Sequence, residues 1–281
     1  MYERKIAPQQ VAAFAAALRA EERSDSTIEK YLRDIRNFVV FLDGRPATKE
    51  LACAWKDMLL AKGRAPATVN AMIAAANRFF ALWGWEECRL KPLRLQRKLF
   101  RDDRRELTRT EYNHLVATAN ALGQERLALL MEAICATGIR VSEVRYLTVE
   151  AAAQGRTEIT LKGKIRTILL PGKLCRKLLK YARRQKIASG EIFLTRGGTS
   201  LSRKQIWAEM KALCRRAGVA PSKVFPHNLR HLFARTFYKA CRDVAKLADV
   251  LGHSSIETTR IYLISTGTEH QHVLERLRLV C

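Results

Sequence analysis

The sequence predicts a mostly α-helical protein of two domains. A four-helix N-terminal unit precedes a larger, mainly helical unit that holds a small antiparallel β-sheet. Three observations predict this. Apolar residues recur at helical spacing through most of the chain. That periodicity stops between Arg89 and Arg105, where RLKPLRLQRKLFRDDRR gathers eight basic residues around one proline. A single stretch, TEITLKGKIRTILLP, joins two β-rich runs across a tight turn. With 281 residues the chain lies near the length at which one core gives way to two. The expected boundaries are 1–90, a basic linker over 91–105, and 106–281.

The first helix is expected over about Pro8 to Glu21. The second is SDSTIEKYLRDIRNFVVFLDG, with Ser26 and Glu29 forming a capping box and Ile28, Tyr31, Leu32, Ile35, Val39 and Leu42 along one face. Gly44 closes it. The third is expected over Lys49 to Ala61. The fourth, PATVNAMIAAANRFFALW, lines up Val69, Met72, Ile73, Ala76, Phe80 and Trp83. Such stripes are core, and the four helices make one unit.

Charge narrows the function classes. Lys and Arg number 51 against 27 Asp and Glu, a net charge of +24 with pI about 10.2. The basic residues are spread along the whole chain, so a polyanionic partner is the natural explanation. Nucleic acid is the first reading and an anionic membrane surface the second. No apolar run reaches about 18 residues, and MYERKIAPQQ lacks the apolar stretch of a signal peptide. Seven scattered cysteines without a CxxC pair read as reduced, mostly buried thiols of a cytoplasmic protein, and they argue against a zinc finger. The linker reads as a segment running along a phosphate backbone.

In the second unit, Thr108 and Glu111 start a helix, and helices continue through LALLMEAICATGIRVSEVRYL. Arg140 falls within that run, with Glu143 three residues on as its ion-pair partner. The β-runs are expected over 157–161 and 165–170, joined by a Lys-Gly-Lys turn that carries Lys162 and Lys164. Helices resume after Pro171, interrupted by a short EIFLT segment. In HNLRH, His227 and Arg230 share one helix face. His227 and His231 also have a zinc-ligand spacing, but Asn228 stands where a metalloprotease needs glutamate, so no metal is expected. His231, beside Leu232 and Phe233, reads as half-buried packing. VAKLADVLG is a helix ended by Gly252 in the left-handed conformation. His253 then sits in a turn, Ser254 and Glu257 cap the next helix, and Tyr262 lies on it.

Arg140, a hairpin lysine, His227 with Arg230, Gly252–His253 and Tyr262 occur in the order and spacing of the tyrosine recombinase family. ATGIRVSE resembles that family's first arginine box, HNLRHLFA its HxLRH box, and LGHSSIETTRIYL its LGH…Y box. Leu161 departs from the glycine that usually precedes the hairpin lysine. In length the chain is similar to the Xer-type members and small mobile-element integrases. The resemblance covers essentially the whole chain and makes the N-terminal unit a core-binding DNA domain. It implies a site-specific DNA recombinase or integrase that acts through a 3′-phosphotyrosyl intermediate without metal, ATP or other cofactor. Tyr262 is then the nucleophile, Arg140 and Arg230 the phosphate clamps, and His253 a further donor. His227 is the general base or proton shuttle, with Glu143 as its orienting neighbour. The acid is Lys162 in preference to Lys164. The expected partner is double-stranded DNA with specific recombination sites, bound by a homotetramer on two duplexes and not by a membrane. The apolar set Val273, Leu274, Leu277 and Val280 is expected to dock on a helix surface of its own domain or of a neighbour. A type IB-like topoisomerase shares this chemistry, and an inactive site-specific DNA-binding protein is the alternative outside it.

Overall fold

The computed structural model describes residues 4–95, 105–161, 164–262, 271 and 275–277. Its contacts divide the chain into two compact units, Met1–Arg97 and Lys98–Cys281. The first holds α1 (Pro8–Ala20), α2 (Asp25–Leu42), α3 (Lys49–Ala61) and α4 (Pro66–Leu82), then a short 3-10 turn over Glu86–Cys88. Proline takes the first position of α1 and α4, where its missing N–H has no intrahelical partner to lose. The α2 start differs from expectation. Ser24 rather than Ser26 is the N-cap, because Ser24 is the residue with extended backbone and Asp25 can then stand in the first turn, where a carboxylate suits the helix dipole. At the other end Asp43 takes the left-handed cap at φ 50°, with Gly44 following it at φ 74°.

The core of this unit is aromatic. Phe14, Phe38, Trp55, Phe79 and Phe80 are essentially buried, and the Phe38 ring lies 5.0 Å from Trp55 and 5.7 Å from Phe80. The indole N–H of Trp55 donates to Asn37 Oδ1 at 3.1 Å, which satisfies its one polar atom. The apolar stripe of α4 packs as its spacing implies, with Val69, Met72, Ile73, Ala76 and Phe80 buried and Trp83 against them. Beyond residue 90 the chain is still held. Asn77 brackets the Leu90 backbone with bonds of 2.7 and 2.8 Å, and Asn70 does the same for Leu93 at 2.7 and 2.9 Å. The two amides stand seven residues apart, two turns along one helix face. Most of the expected linker, residues 96–104, lies outside the described residues.

The second unit runs α5 (Arg109–Ala121), α6 (Glu125–Thr137), a 3-10 segment (Val141–Tyr146) and α7 (Val149–Gln154). Strands β1 (Arg156–Leu161) and β2 (Lys164–Leu169) pair antiparallel, with Ile159 opposite Arg166. Then come α8 (Gly172–Arg184), α9 (Arg203–Ala217), α10 (Pro226–Cys241), α11 (Val244–Leu251) and α12 (Ile256–Arg260). The capping box of α5 forms as read. Thr108 Oγ1 accepts from the Glu111 N–H at 3.1 Å, and Glu111 accepts from the Thr108 N–H at 2.8 Å. Buried α6 residues, among them Leu130, Met131 and Ile134, sit in the core beneath α5, α8 and α10.

The second unit departs from three local expectations. The helix through residue 147 breaks after Thr137, because Gly138 adopts φ 64° and accepts the C-cap role, so Arg140 precedes a 3-10 turn. EIFLT forms no strand of its own. Glu191 makes one isolated bridge to Thr148, and the chain then folds back through a Leu194–Ser200 bridge. The cap of α12 is Ser255, whose Oγ accepts from the Glu257 N–H at 3.2 Å, rather than Ser254. Among the described residues no helix is long and apolar enough to cross a membrane.

Candidate active site

The site grows from the first turns of α10. Phe225 is extended and Pro226 opens the helix, so His227, Arg230 and His231 fall in its first two turns. Arg230 is 1% exposed, an unusual place for a guanidinium. Its burial is tolerated because its donors meet carbonyls at the C-terminal ends of two helices. Nη1 donates to the Gly138 carbonyl after α6, and Nη2 to the Leu251 carbonyl of α11 at 2.7 Å. Cations suit those ends, where unpaired carbonyls concentrate negative potential. Burial holds the Arg230 pKa below its usual value, and the neighbouring Tyr262 works in the opposite direction.

Gly138 has two duties. Its positive φ ends α6, and its bare α-carbon lets the Phe233 ring approach, since a Cβ there would lie 2.3 Å from Phe233 Cδ1. Two residues on, the Arg140 N–H donates to Glu143 Oε2 at 2.8 Å, and its Nη1 to Glu143 Oε1 at 2.9 Å. Its Nη2 reaches the Gly252 carbonyl at 3.4 Å. Glu143 is buried, whereas the Arg140 side chain stays 40% exposed. The ion pair anticipated from the spacing thus exists, held on a 3-10 turn.

His253 follows the left-handed cap Gly252, as the LGH sequence suggests. Its Nε2 lies 3.0 Å from Arg230 Nη2, and its Nδ1 lies 2.9 Å from Thr259 Oγ1. Arginine cannot accept, so Nε2 is the bare nitrogen and Nδ1 carries the proton donated to Thr259. Burial pushes the His253 pKa down to about 4, helped by Arg230, Arg140, Arg166 and His227. The pKa of His227 is also lowered, by burial first and then by Arg230 and Arg140. Tyr262 is buried at 3% exposure on Ala234, Leu247 and Leu251, just past the end of α12 rather than on it. Its ring stands 4.5 Å from His231, 5.8 Å from His253 and 6.3 Å from His227.

Five of the six anticipated site residues therefore come together: Arg140, His227, Arg230, His253 and Tyr262. Lys162 lies outside the described residues. Three residues were not anticipated at this site. His231, read as packing, is the imidazole with its ring nearest Tyr262 of the three. Thr259 fixes the His253 tautomer from a fully buried position. Arg166 reaches Glu143 from β2. Its signal was available, because Arg166 occupies an inward position of the strand, in alternation with buried Ile168 and Leu170. Among the described residues no group of three or more His, Cys, Asp or Glu side chains could hold a metal ion.

The Phage integrase family model matches residues 105–269, and the phage integrase N-terminal SAM-like domain matches residues 11–87. A tyrosine recombinase XerA of Pyrococcus furiosus is 29% identical, over 100% of this chain and 98% of its own. A tyrosine recombinase XerC of Roseiflexus castenholzii is 31% identical over 95% of this chain and 94% of its own. Among solved structures, a lambda integrase tetramer bound to a Holliday junction superposes with TM-score 0.72 at 18% identity, over 90% of this chain and 76% of that one. XerH bound to its difH substrate gives 0.68 at 18% identity, over 97% and 90%. These two show a shared fold. The family match over more than half of the chain, together with a relative 31% identical along nearly all of it, establishes that this chain belongs to the phage integrase family and is a tyrosine recombinase.

Proposed function

We propose that this enzyme is a site-specific DNA recombinase or integrase that cuts and rejoins strands through a 3′-phosphotyrosyl intermediate, using neither metal nor ATP. The observation that carries this reading is the convergence of three imidazole rings on the Tyr262 ring, with His253 bonded to the buried Arg230 and the exposed Arg140 fork reaching the neighbouring Gly252 carbonyl. Tyr262 Oη attacks a backbone phosphorus, the P–O5′ bond breaks, and the 3′ phosphate stays on the tyrosine. Neutral His227, its pKa already lowered, accepts the phenolic proton. Arg140 and Arg230 donate to the non-bridging oxygens, where planar forks match phosphate geometry. The departing 5′ oxygen takes its proton from Lys162. Attack by a 5′ hydroxyl on the phosphotyrosine reverses the steps, and the bond energy kept in the aryl ester makes ATP unnecessary. With Nε2 engaged by Arg230, His253 steadies that fork, and it donates to phosphate only after its proton moves to Nε2.

The partner in this reading is double-stranded DNA carrying specific sites, held by four copies of the enzyme on two duplexes in the cytoplasm. The +24 charge supports the DNA, and the lambda integrase tetramer on a Holliday junction supports the assembly. Residues 1–90 form the core-binding domain, 91–105 the basic linker and 106–281 the catalytic domain. A nicked suicide duplex tests the chemistry. Wild type is expected to form a covalent adduct, whereas Tyr262→Phe loses it and keeps nearly the same DNA affinity, since one hydroxyl adds little to binding through a basic surface. An adduct that survives in the phenylalanine variant excludes Tyr262 as nucleophile. Relaxation of a plasmid without defined sites would instead identify a topoisomerase.

A further inference from the structure

Arg166 is a buried cation for which the reaction outlined above has no use. Its side chain is 11% exposed and lies 3.2 Å from Glu143 Oε2 and 3.4 Å from Oε1 through a single nitrogen, Nη1. Its Nε and Nη2 are buried and have no hydrogen-bond partner among the described residues. Its stem crosses Gly252 so closely that a Cβ there would sit 2.3 Å from Arg166 Cδ. Two orphaned donors on a buried charge are expensive to keep, and a strand position opposite buried Ile159 and two residues before buried Ile168 would be better filled by valine or leucine. The ion pair alone does not require Arg166, because Glu143 already has a partner in Arg140.

The arithmetic of charge gives Arg166 a purpose. Arg140 and Glu143 alone are a neutral pair, with the buried carboxylate gripping Arg140 by its backbone N–H and its guanidinium. A phosphate approaching that pair meets a cation already matched by an anion. Adding Arg166 gives two guanidiniums to one carboxylate and leaves one net positive charge. Arg166 is out of solvent, so its charge is weakly screened, while Arg140 is the exposed member through which an anion feels the field. The same two oxygens are shared between both arginines.

We propose that Arg166 is a positioning residue for strand cleavage: it offsets the Glu143 carboxylate, so that Arg140 presents uncompensated positive charge to the scissile phosphate. This rests on Arg140 being a phosphate contact. Arg166 itself touches no DNA. Because Arg166 stands in the middle of β2, opposite Ile159 of β1, the same ion pair ties the hairpin to the clamp.

The test measures the rate of adduct formation on the nicked duplex at saturating DNA, for folded variants with unfolding temperatures near that of wild type. Arg166→Gln is expected to slow cleavage about 10- to 100-fold, the usual effect of losing a residue that orients a primary contact, with little change in DNA affinity. Arg166→Lys keeps the charge and should fall much nearer to wild type. Adding Glu143→Gln to Arg166→Gln removes the carboxylate that Arg166 offset, so the double variant should recover cleavage relative to Arg166→Gln alone. Loss of mere packing predicts the reverse, since the double variant would be the more damaged. Wild-type rates in Arg166→Gln, or a double variant no faster than the single, overturn the proposal. If the glutamine variant does not fold, a folded but inactive Arg166→Lys overturns it equally. A wild-type enzyme that forms no adduct overturns the reading of the site itself, and this proposal with it.

Discussion

Burial, helped by the surrounding cations, keeps His253 neutral well below the ordinary histidine range, and this has a consequence for stability that can be measured. In the unfolded chain a histidine takes up its proton near pH 6.5, whereas in the folded protein His253 does so only at about 4. Between those values the unfolded state binds the extra proton, so stability falls as pH drops through the window and levels off below it. His227, also shifted down, adds to the slope. Thermal unfolding between pH 7.5 and 4.5 should show a steeper loss for wild type than for His253→Gln, and equal slopes would mean that His253 protonates alike in both states. The position of His253 in a turn was legible from LGH. Its tautomer was not, because it depends on Arg230, 23 residues earlier in sequence, and on a threonine that reads as an ordinary helix residue. Arg166 escaped for the same reason: strand alternation marks it as inward, but only the fold brings Glu143 to meet it.

At the scale of the element, helix ends position the site. Gly138 and Gly218 both end helices of the second unit at φ 64°, yet only Gly138 lies beneath a ring. Alanine at either position carries the left-handed penalty of about 1–2 kcal/mol. At Gly138 it also drives into Phe233 and Leu251, adding about 1–3 kcal/mol of overpacking. Gly138→Ala should therefore unfold at a clearly lower denaturant concentration than Gly218→Ala; matched midpoints would show that Phe233 moves aside freely. The stops at Gly138, Gly218 and Gly252 are each available to sequence reasoning, since glycine is the residue suited to that conformation. The starts are harder. Ser24 against Ser26, and Ser255 against Ser254, offer the same hydroxyl within a residue or two, and tertiary packing chooses between them. The 3-10 segment after Gly138 reads as helix because its apolar spacing suits either, whereas the β-branched residues make the hairpin plain.

For the whole molecule, the two units close separate cores, one aromatic within the first ninety residues and one built around α6. That division was legible because the break in periodicity is long, although the bonds from Asn70 and Asn77 to the following chain were not. The basic surface makes a prediction about binding. If lysines and arginines displace counterions from six or more phosphates, affinity for duplex DNA should drop on the order of 10³-fold or more between 50 and 200 mM salt. A nearly flat dependence would detach the +24 charge from DNA binding.

The Arg230 fork joins the Gly138 and Leu251 carbonyls, so the atom group that would meet the phosphate is also the rivet between two helices. Foldability and chemistry are thereby placed under one codon. A duplicated copy of this protein drifting toward inactivity could shed the Tyr262 hydroxyl and still stand, but shedding Arg230 would cost it the junction as well. In a decaying lineage the arginine should therefore outlast the tyrosine's hydroxyl, and the hydroxyl is the better mark of a working enzyme.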